Sequence, residues 1–294
     1  MKAHTTIFKD NISNVGRQFD VELIHKKNGN NYWFAPTVHS LSYHYEADIL
    51  KSVMKQLDLT TTRTMDIGDE INCKIGILNT TNGRYEYLNY GNFIIYDIER
   101  QEDTKLYEVK CYDKMLYSMK QNEDLGITYP ISIKNYLNAI ANKLGLSVAT
   151  TTFYNENMMI QDELYLGLDY TYRDILDEIA QATGSIICLN ENDEMVLKYP
   201  TQTNDTIDGS FLKDINVDFG QKYGVINSVV LSRSGESDNV YLRDEESVTQ
   251  NGLTEVKIKD NQIMNWNDRS DYLQGILNAL NGLYYYINDF NSTG

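Results

Sequence analysis

The chain has 294 residues, 41% of them hydrophobic and 23% charged, a balance that excludes global disorder and leaves room for two or three domains. A formal net charge of -16, with no Lys/Arg cluster interleaved with aromatics, excludes a duplex-binding protein, which needs a cationic footprint. Cys73, Cys111 and Cys188 are far apart and odd in number, which excludes a disulfide framework or a Cys/His zinc spacing and fits a reducing compartment.

The unusual figure is 23 Tyr against 8 Phe and 3 Pro. Tyrosine suits strands with a half-wet face and also protein–protein interfaces. No apolar signal core follows Met1-Lys2-Ala3-His4-Thr5-Thr6 and no later run reaches 18 apolar residues, so a soluble protein without a classical export signal is expected.

In chain order, residues 1–118 read as β. Short β-branched or aromatic segments at Asp20–Ile24, His39–Tyr45, Ile71–Leu78 and Tyr85–Tyr90 are punctuated by turn signals, and Lys26-Lys27-Asn28-Gly29-Asn30 reads as a hairpin tip. Asp48–Leu57 fits either a helical turn, through Ile49, Val53 and Leu57, or a strand. The clearest hairpin runs from Asn92 to Asp113, with Phe93–Glu99 outward, Gln101-Glu102-Asp103 as the turn and Leu106–Tyr112 returning. Alternation is strict only on the return strand, so the first is expected to be buried on both faces.

Residues 119–202 read as an α/β module. Ile133, Leu137, Ile140 and Leu144 keep a 3.6-residue period between Pro130-Ile131-Ser132 and Gly145. A strand is expected at Ser147–Phe153. A second helix opens at Thr171 with Asp174 three residues on, carries Tyr172, Ile175, Ile179 and Ala182 on one stripe, and ends at Gly184, which is expected to take a positive φ. The hairpin Ser185–Leu189, Asn190–Asp193, Met195–Tyr199 leads to Pro200.

Residues 203–266 turn β again, with strands at Val225–Ser232, Asn239–Arg243 and Thr254–Ile258. Residues 267–294 hold a helix from about Asp268 through Tyr272, Leu273, Ile276, Leu277 and Leu280 to Gly282. A β domain rarely ends so soon after an inserted helix, so the second β domain and this last unit are expected to be incomplete, or the natural polypeptide longer.

Residues able to do chemistry are scattered. His39 and His44 are five apart on an expected strand, hence on opposite faces without a bulge. There is no HExxH, GxSxG, Walker loop or DxDxDG pattern. Asp174, Asp177 and Glu178 are placed on the solvent side of a helix, Asp244-Glu245-Glu246 in a solvated turn, and Asp66, Asp69 and Glu70 around a Gly68 turn. No catalytic, cofactor-binding or metal-ligating residue is therefore expected, and the protein is not expected to be an enzyme.

The stretch Tyr90-Gly91-Asn92-Phe93-Ile94 with its return to Tyr112-Asp113-Lys114-Met115 resembles the tail-tip and baseplate-hub proteins of phages and prophages of Gram-positive bacteria. Two later stretches, Tyr172–Ser185 and Ile226–Ser247, resemble the same family in order and spacing, so that the likeness spans roughly residues 85 to 290. The resemblance implies an α+β, β-rich fold of two β-barrel-like domains interrupted by an α/β module and a small helical insertion. It also implies a homotrimeric ring in the virion tail, assembled in the bacterial cytoplasm. Such a ring joins the tail tube to distal tail parts, with the tape-measure protein a further possible neighbour, and passes DNA without binding it, with no cofactor and no membrane partner. The alternatives are a tail-associated peptidoglycan hydrolase or endopeptidase, a label that relatives carry, and a receptor-binding protein gripping wall glycans through tyrosine. If the ring encloses DNA, the strands flanking Gln101-Glu102-Asp103 and the Asp214–Asp218 segment are those expected to present carboxylates to it; the bland reading is that the charge of -16 keeps the chain soluble.

Overall fold

The computed structural model describes residues 18–45, 49–162, 170–199, 212–218, 225–232, 239–259, 266–281 and 286–292. Its first unit is one antiparallel sheet of seven strands: β1 (Phe19–Lys27), β2 (Asn30–Trp33), β3 (Val38–His44), β4 (Gln56–Thr61), β5 (Glu70–Asn79), β6 (Arg84–Arg100) and β7 (Tyr107–Tyr112), in the spatial order β2-β1-β5-β6-β7-β4-β3. The β1–β2 turn holds Asn28 and Gly29 at φ 50° and 76°, the pair of positive φ values that matches a two-residue loop to strand twist. Of the segment left open between helix and strand, Asp48 lies outside the described residues, Ile49 and Leu50 (φ 65°) form a turn, Ser52 bridges to Ile187, and the chain enters β4 at Gln56.

The expected strands at 85–90 and 93–99 are one continuous strand of 17 residues. Its first half pairs with β5, its second with β7, and the two ladders share Ile94. Bulges absorb the change of partner, one of them opposite Cys73/Lys74 beside Gly91 (φ 114°) and the other at Ile95/Asp97. Of the strand Phe93–Glu99, expected to be buried on both faces, only Phe93, Ile94 and Ile95 are; Tyr96, Asp97 and Glu99 are exposed past the bulge, while β7 alternates exposed Glu108 and Lys110 with buried Val109 and Cys111.

Laid flat, seven strands at about 4.8 Å spacing would separate β2 from β3 by roughly 29 Å. Instead Val21 and Leu23 of β1, Leu57 and Leu59 of β4, and Leu41 and Tyr43 of β3 pack with Phe93 and Val109 in one apolar cluster, so the sheet curls around its own core. It does not close into the expected barrel. β2 spans only four residues, and among the described residues the chain passes from β2 to β3 through Phe34–Thr37 with no ladder between them.

After β7, Asp113 caps a 3-10 turn, Lys114–Met119. Then follow β8 (Ile131–Ser132), α1 (Ile133–Lys143), β9 (Ser147–Val148), β10 (Met159–Ile160), α2 (Tyr172–Thr183), β11 (Ile186–Leu189) and β12 (Glu194–Lys198). Ser132 accepts from the Asn135 amide to start α1, and Thr171 with Asp174 forms a reciprocal capping box on α2. Gly184 ends α2 at φ 65°, as its position predicts. The expected strand at 147–153 stops at Val148, because the chain turns through Asn155 (φ 59°) to bring Asn155 Nδ2 to the Ala182 carbonyl at 2.8 Å.

The last part comprises β13 (Leu212–Asp218), β14 (Ser228–Ser232), β15 (Asn239–Arg243), α3 (Glu245–Asn251), β16 (Glu255–Lys259), α4 (Arg269–Leu280) and β17 (Tyr286–Ser292). These strands form two separate sheets, β13-β17 and β15-β14-β16, neither closed among the described residues. β14 and β16 are parallel, which requires a crossover, and α3 lies in it. The Asp244-Glu245-Glu246 turn is therefore corrected to a helix start: Asp244 accepts from the Ser247 amide at 3.0 Å and from Asn281 at 2.6 Å. One larger apolar cluster takes in Leu137 and Ile140 of α1, Ile175 and Ile179 of α2, Leu197 of β12, Val229 and Leu231 of β14, and Ile276 of α4.

Candidate functional site

The face of the curled sheet opposite its core has two chemically different halves. On β3, β4, β7 and the second half of β6, the outward residues fall in cross-strand rows. One row joins Ser42, Asp58, Lys110 and Asp97, and the next joins Ser40, Thr60, Glu108 and Glu99. They line a shallow groove of about 320 Å³. Four carboxylates stand here against Lys110 and His44, the latter 3.2 Å from Asp58. Asp97, Glu99 and Glu108 are exposed, so like charges cluster on a solvated surface where salt screening softens their repulsion. These are the strands flanking Gln101-Glu102-Asp103, the first of the two segments expected to carry carboxylates; side chains of the second, Asp214–Asp218, lie outside the described residues.

The other half, on β1, β5 and the first half of β6, is mixed. Tyr87 donates to Asp20 and lies across Gly76, where a Cβ would meet its Cε1 at 2.8 Å. Lys74 pairs with Glu22 at 2.5 Å, and Tyr85 and Tyr87 remain partly exposed.

Between the sheet and the α/β module lies a joint that sequence reading missed. Val53 donates to the Ile187 carbonyl at 2.7 Å and Ile187 to the Lys51 carbonyl at 3.0 Å, so residues 51–53 run as an extra parallel edge along β11. Asp177 accepts from both the amide and the hydroxyl of Ser52, and Arg173 donates to the Ser52 carbonyl at 3.0 Å. The expectation that Asp174, Asp177 and Glu178 are all solvent-facing holds only for Asp174. Asp177 docks the sheet, and Glu178 accepts from Tyr170. On the far side of the joint Asn92 donates to Asp193 at 3.0 Å, and Lys114 lies 2.9 Å from Asp193.

At its centre Asp113 is 3% and Lys55 8% exposed. Lys55 donates to the Leu189 carbonyl at 2.6 Å, while Asp113 Oδ1 accepts from Met115 and its buried Oδ2 has no partner. Burial raises the Asp113 carboxyl to about 7, partly opposed by Lys55, and burial lowers the Lys55 ammonium. Nothing in the local sequence marks either group, because the strand that pairs Lys55 with Asp113 and the Leu189 carbonyl that Lys55 reaches are distant in the chain.

The other singled-out residues separate. His39 and His44 are both exposed; a register shift at Val38/Ser40 interrupts the alternation that would have put His39 on the inner face. Among the described histidines the buried one is His25, whose Nε2 meets Asp69 at 2.7 Å and whose Nδ1 accepts from Arg63 at 3.3 Å. Asp66 pairs with Lys27, and Glu70 lies 3.9 Å from Lys26. The three cysteines are buried, and no disulfide joins them. Among the described residues no group of three or more His, Cys, Asp or Glu is placed to hold a metal, and no helix is long and apolar enough to cross a membrane.

A curled antiparallel sheet feeding an α/β module and then further strands with an inserted helix is a fold found in phage tail proteins. The chain matches the 43 kDa tail protein of prophage MuSo2 from Shewanella oneidensis with a TM-score of 0.54 at 14% identity, over 86% of this chain and 77% of that one. It matches the tail protein from Neisseria meningitidis MC58 with a TM-score of 0.51 at 12% identity, over 88% and 74%. No family model and no curated protein sequence matches the chain.

Proposed function

We propose that the chain is a structural tail-tip hub of a tailed phage or prophage, of the kind found in Gram-positive hosts. Three copies form a ring around the DNA path and join the tail tube to distal tail parts, with no chemistry of their own. The observation that carries this reading is the acidic groove of Asp58, Asp97, Glu99 and Glu108 on a sheet whose fold is shared with phage tail proteins. Repulsion between such a wall and DNA, which has one charge per ~1.7 Å of axis, lets the polymer pass without sticking. The ring is assembled in the host cytoplasm and carried in the virion tail.

In this reading residues 1–118 form the first ring-building domain and 119–202 an inserted α/β module. Residues 203–266 supply the second ring-building domain and 267–294 a helical insertion against it. Shared apolar packing of β14 and α4 with α2 supports treating the two insertions as one packed body with the second ring-building domain. Negative-stain imaging of the purified chain tests it: threefold rings with a central hole are expected, and a monomer at every concentration up to about 100 μM, well above the ~1 μM Kd of a −8 kcal/mol contact, would overturn it.

A further inference from the structure

The sheet and the α/β module keep separate hydrophobic clusters. What joins them is mostly polar: the ladder of residues 51–53 on β11, the Ser52–Asp177 and Arg173 bonds, and Asn92 and Lys114 on Asp193. From the sheet side, Leu50 and Met54 are the apolar side chains packed on the larger cluster. Buried inside this polar seam are Lys55 and Asp113, one carboxylate oxygen without any partner.

Removing two ions from water costs more than their attraction returns unless every lone pair is satisfied, and a hydrophobic pair of similar volume usually holds a contact more tightly. Lys55 returns one bond to the seam, its 2.6 Å contact with the Leu189 carbonyl, and Asp113 returns none across it. Opening it by a few ångströms would instead hydrate both ions and the orphaned oxygen, and of the apolar packing would disturb only Leu50 and Met54 at the edge of the larger cluster. The chain itself crosses the seam directly from β7 into the Lys114–Met119 turn, whereas residues 51–55 lie along β11 and can peel away.

We propose that this joint is a hinge: the sheet and the α/β module separate by peeling Lys51–Lys55 from β11, and hydration of Lys55 and Asp113 favours the open form. The inference stands whether or not the chain is a hub, because it concerns motion between two packed units within one copy.

Amide hydrogen exchange on the full chain tests it. The amides of Val53 and Ile187, which bond across the seam, should exchange at least 10-fold faster than those of Val109 in β7 and Ile179 in α2. The double variant K55M/D113N removes both charges and keeps an oxygen for the Met115 amide. It should slow the Val53 and Ile187 amides at least 10-fold and leave Val109 and Ile179 unchanged. Should the double variant not fold, D113N alone is expected to slow the same two amides. Seam amides as slow as the core, no slowing in the variant that folds, or all four amides shifting together would each overturn the hinge.

Discussion

Gly184, at the end of α2, faces the backbone of Gly275 in the middle of α4: a Cβ on Gly184 would stand 2.4 Å from the Gly275 carbonyl oxygen. Gly184 also holds φ 65°, where a side chain is strained whatever the space. Both penalties fall on G184V, and the neighbour is backbone that cannot swing aside, so a loss of about 3 kcal/mol or more is expected. G275A meets the Tyr154 ring at 3.0 Å, a side chain able to yield, and should cost about 1 kcal/mol. Thermal unfolding of the two variants checks the order; equal losses would mean that the helices do not cross here.

Asp113 predicts a pH dependence. Its carboxyl is held at about 7 in the folded chain by burial, above the 3.8 of an exposed aspartate. The fold therefore prefers the protonated form. That preference is fully present below about pH 4 and is lost as pH rises through about 7, at a total cost on the order of 2–4 kcal/mol. D113N has no proton to lose. Its melting temperature relative to native should rise between pH 5 and pH 8, and a difference that stays flat across that window would show that Asp113 is ionised throughout.

The Ser52–Asp177 contact gives a graded pair. D177A leaves the Ser52 amide, in a residue 2% exposed, without its acceptor at 2.7 Å, and should cost roughly 1–3 kcal/mol. S52A removes only the hydroxyl bond and should cost about 1 kcal/mol. Urea unfolding at constant m-value measures both, and the reverse order would place the stabilisation in the hydroxyl rather than the amide.

The acidic groove makes a prediction about DNA. D97K/E99K/E108K raises the net charge of -16 by six while touching only exposed positions. The native chain should leave duplex DNA unshifted in a gel. The variant should bind it at 50 mM salt and, with about three phosphate contacts, weaken roughly 40-fold by 200 mM. No binding by the folded variant would remove the charge argument for a DNA-facing wall.

Much of the local structure was legible without the fold. The 3.6-residue stripe through Ile133, Leu137 and Ile140, the Thr171–Asp174 box, the Asn28-Gly29 turn and the positive φ at Gly184 all depend on neighbours within a few positions. So does the alternation on β7, which places Glu108 and Lys110 outward. α3 went unread because its seven residues bury no side chain, and a helix without an apolar stripe has no periodic signal.

The amino-acid sequence by itself determined the helices that carry an apolar stripe, their caps and the β7 alternation, and that the molecule is β-rich and acidic. Only the tertiary structure decided that β6 is one strand serving two partners, that the sheet curls without closing, and that Asp177 bonds across a joint. It also decided that Asp113 and Lys55 are buried together, and that four carboxylates from three strands share a groove. Capping and periodicity act through bonds a turn or less away, and so are written in adjacent residues. Burial of a charge, or the gathering of several, depends on which distant surface folds over it, and residues such as Ser52 and Asp177, 125 positions apart, carry no local mark of one another.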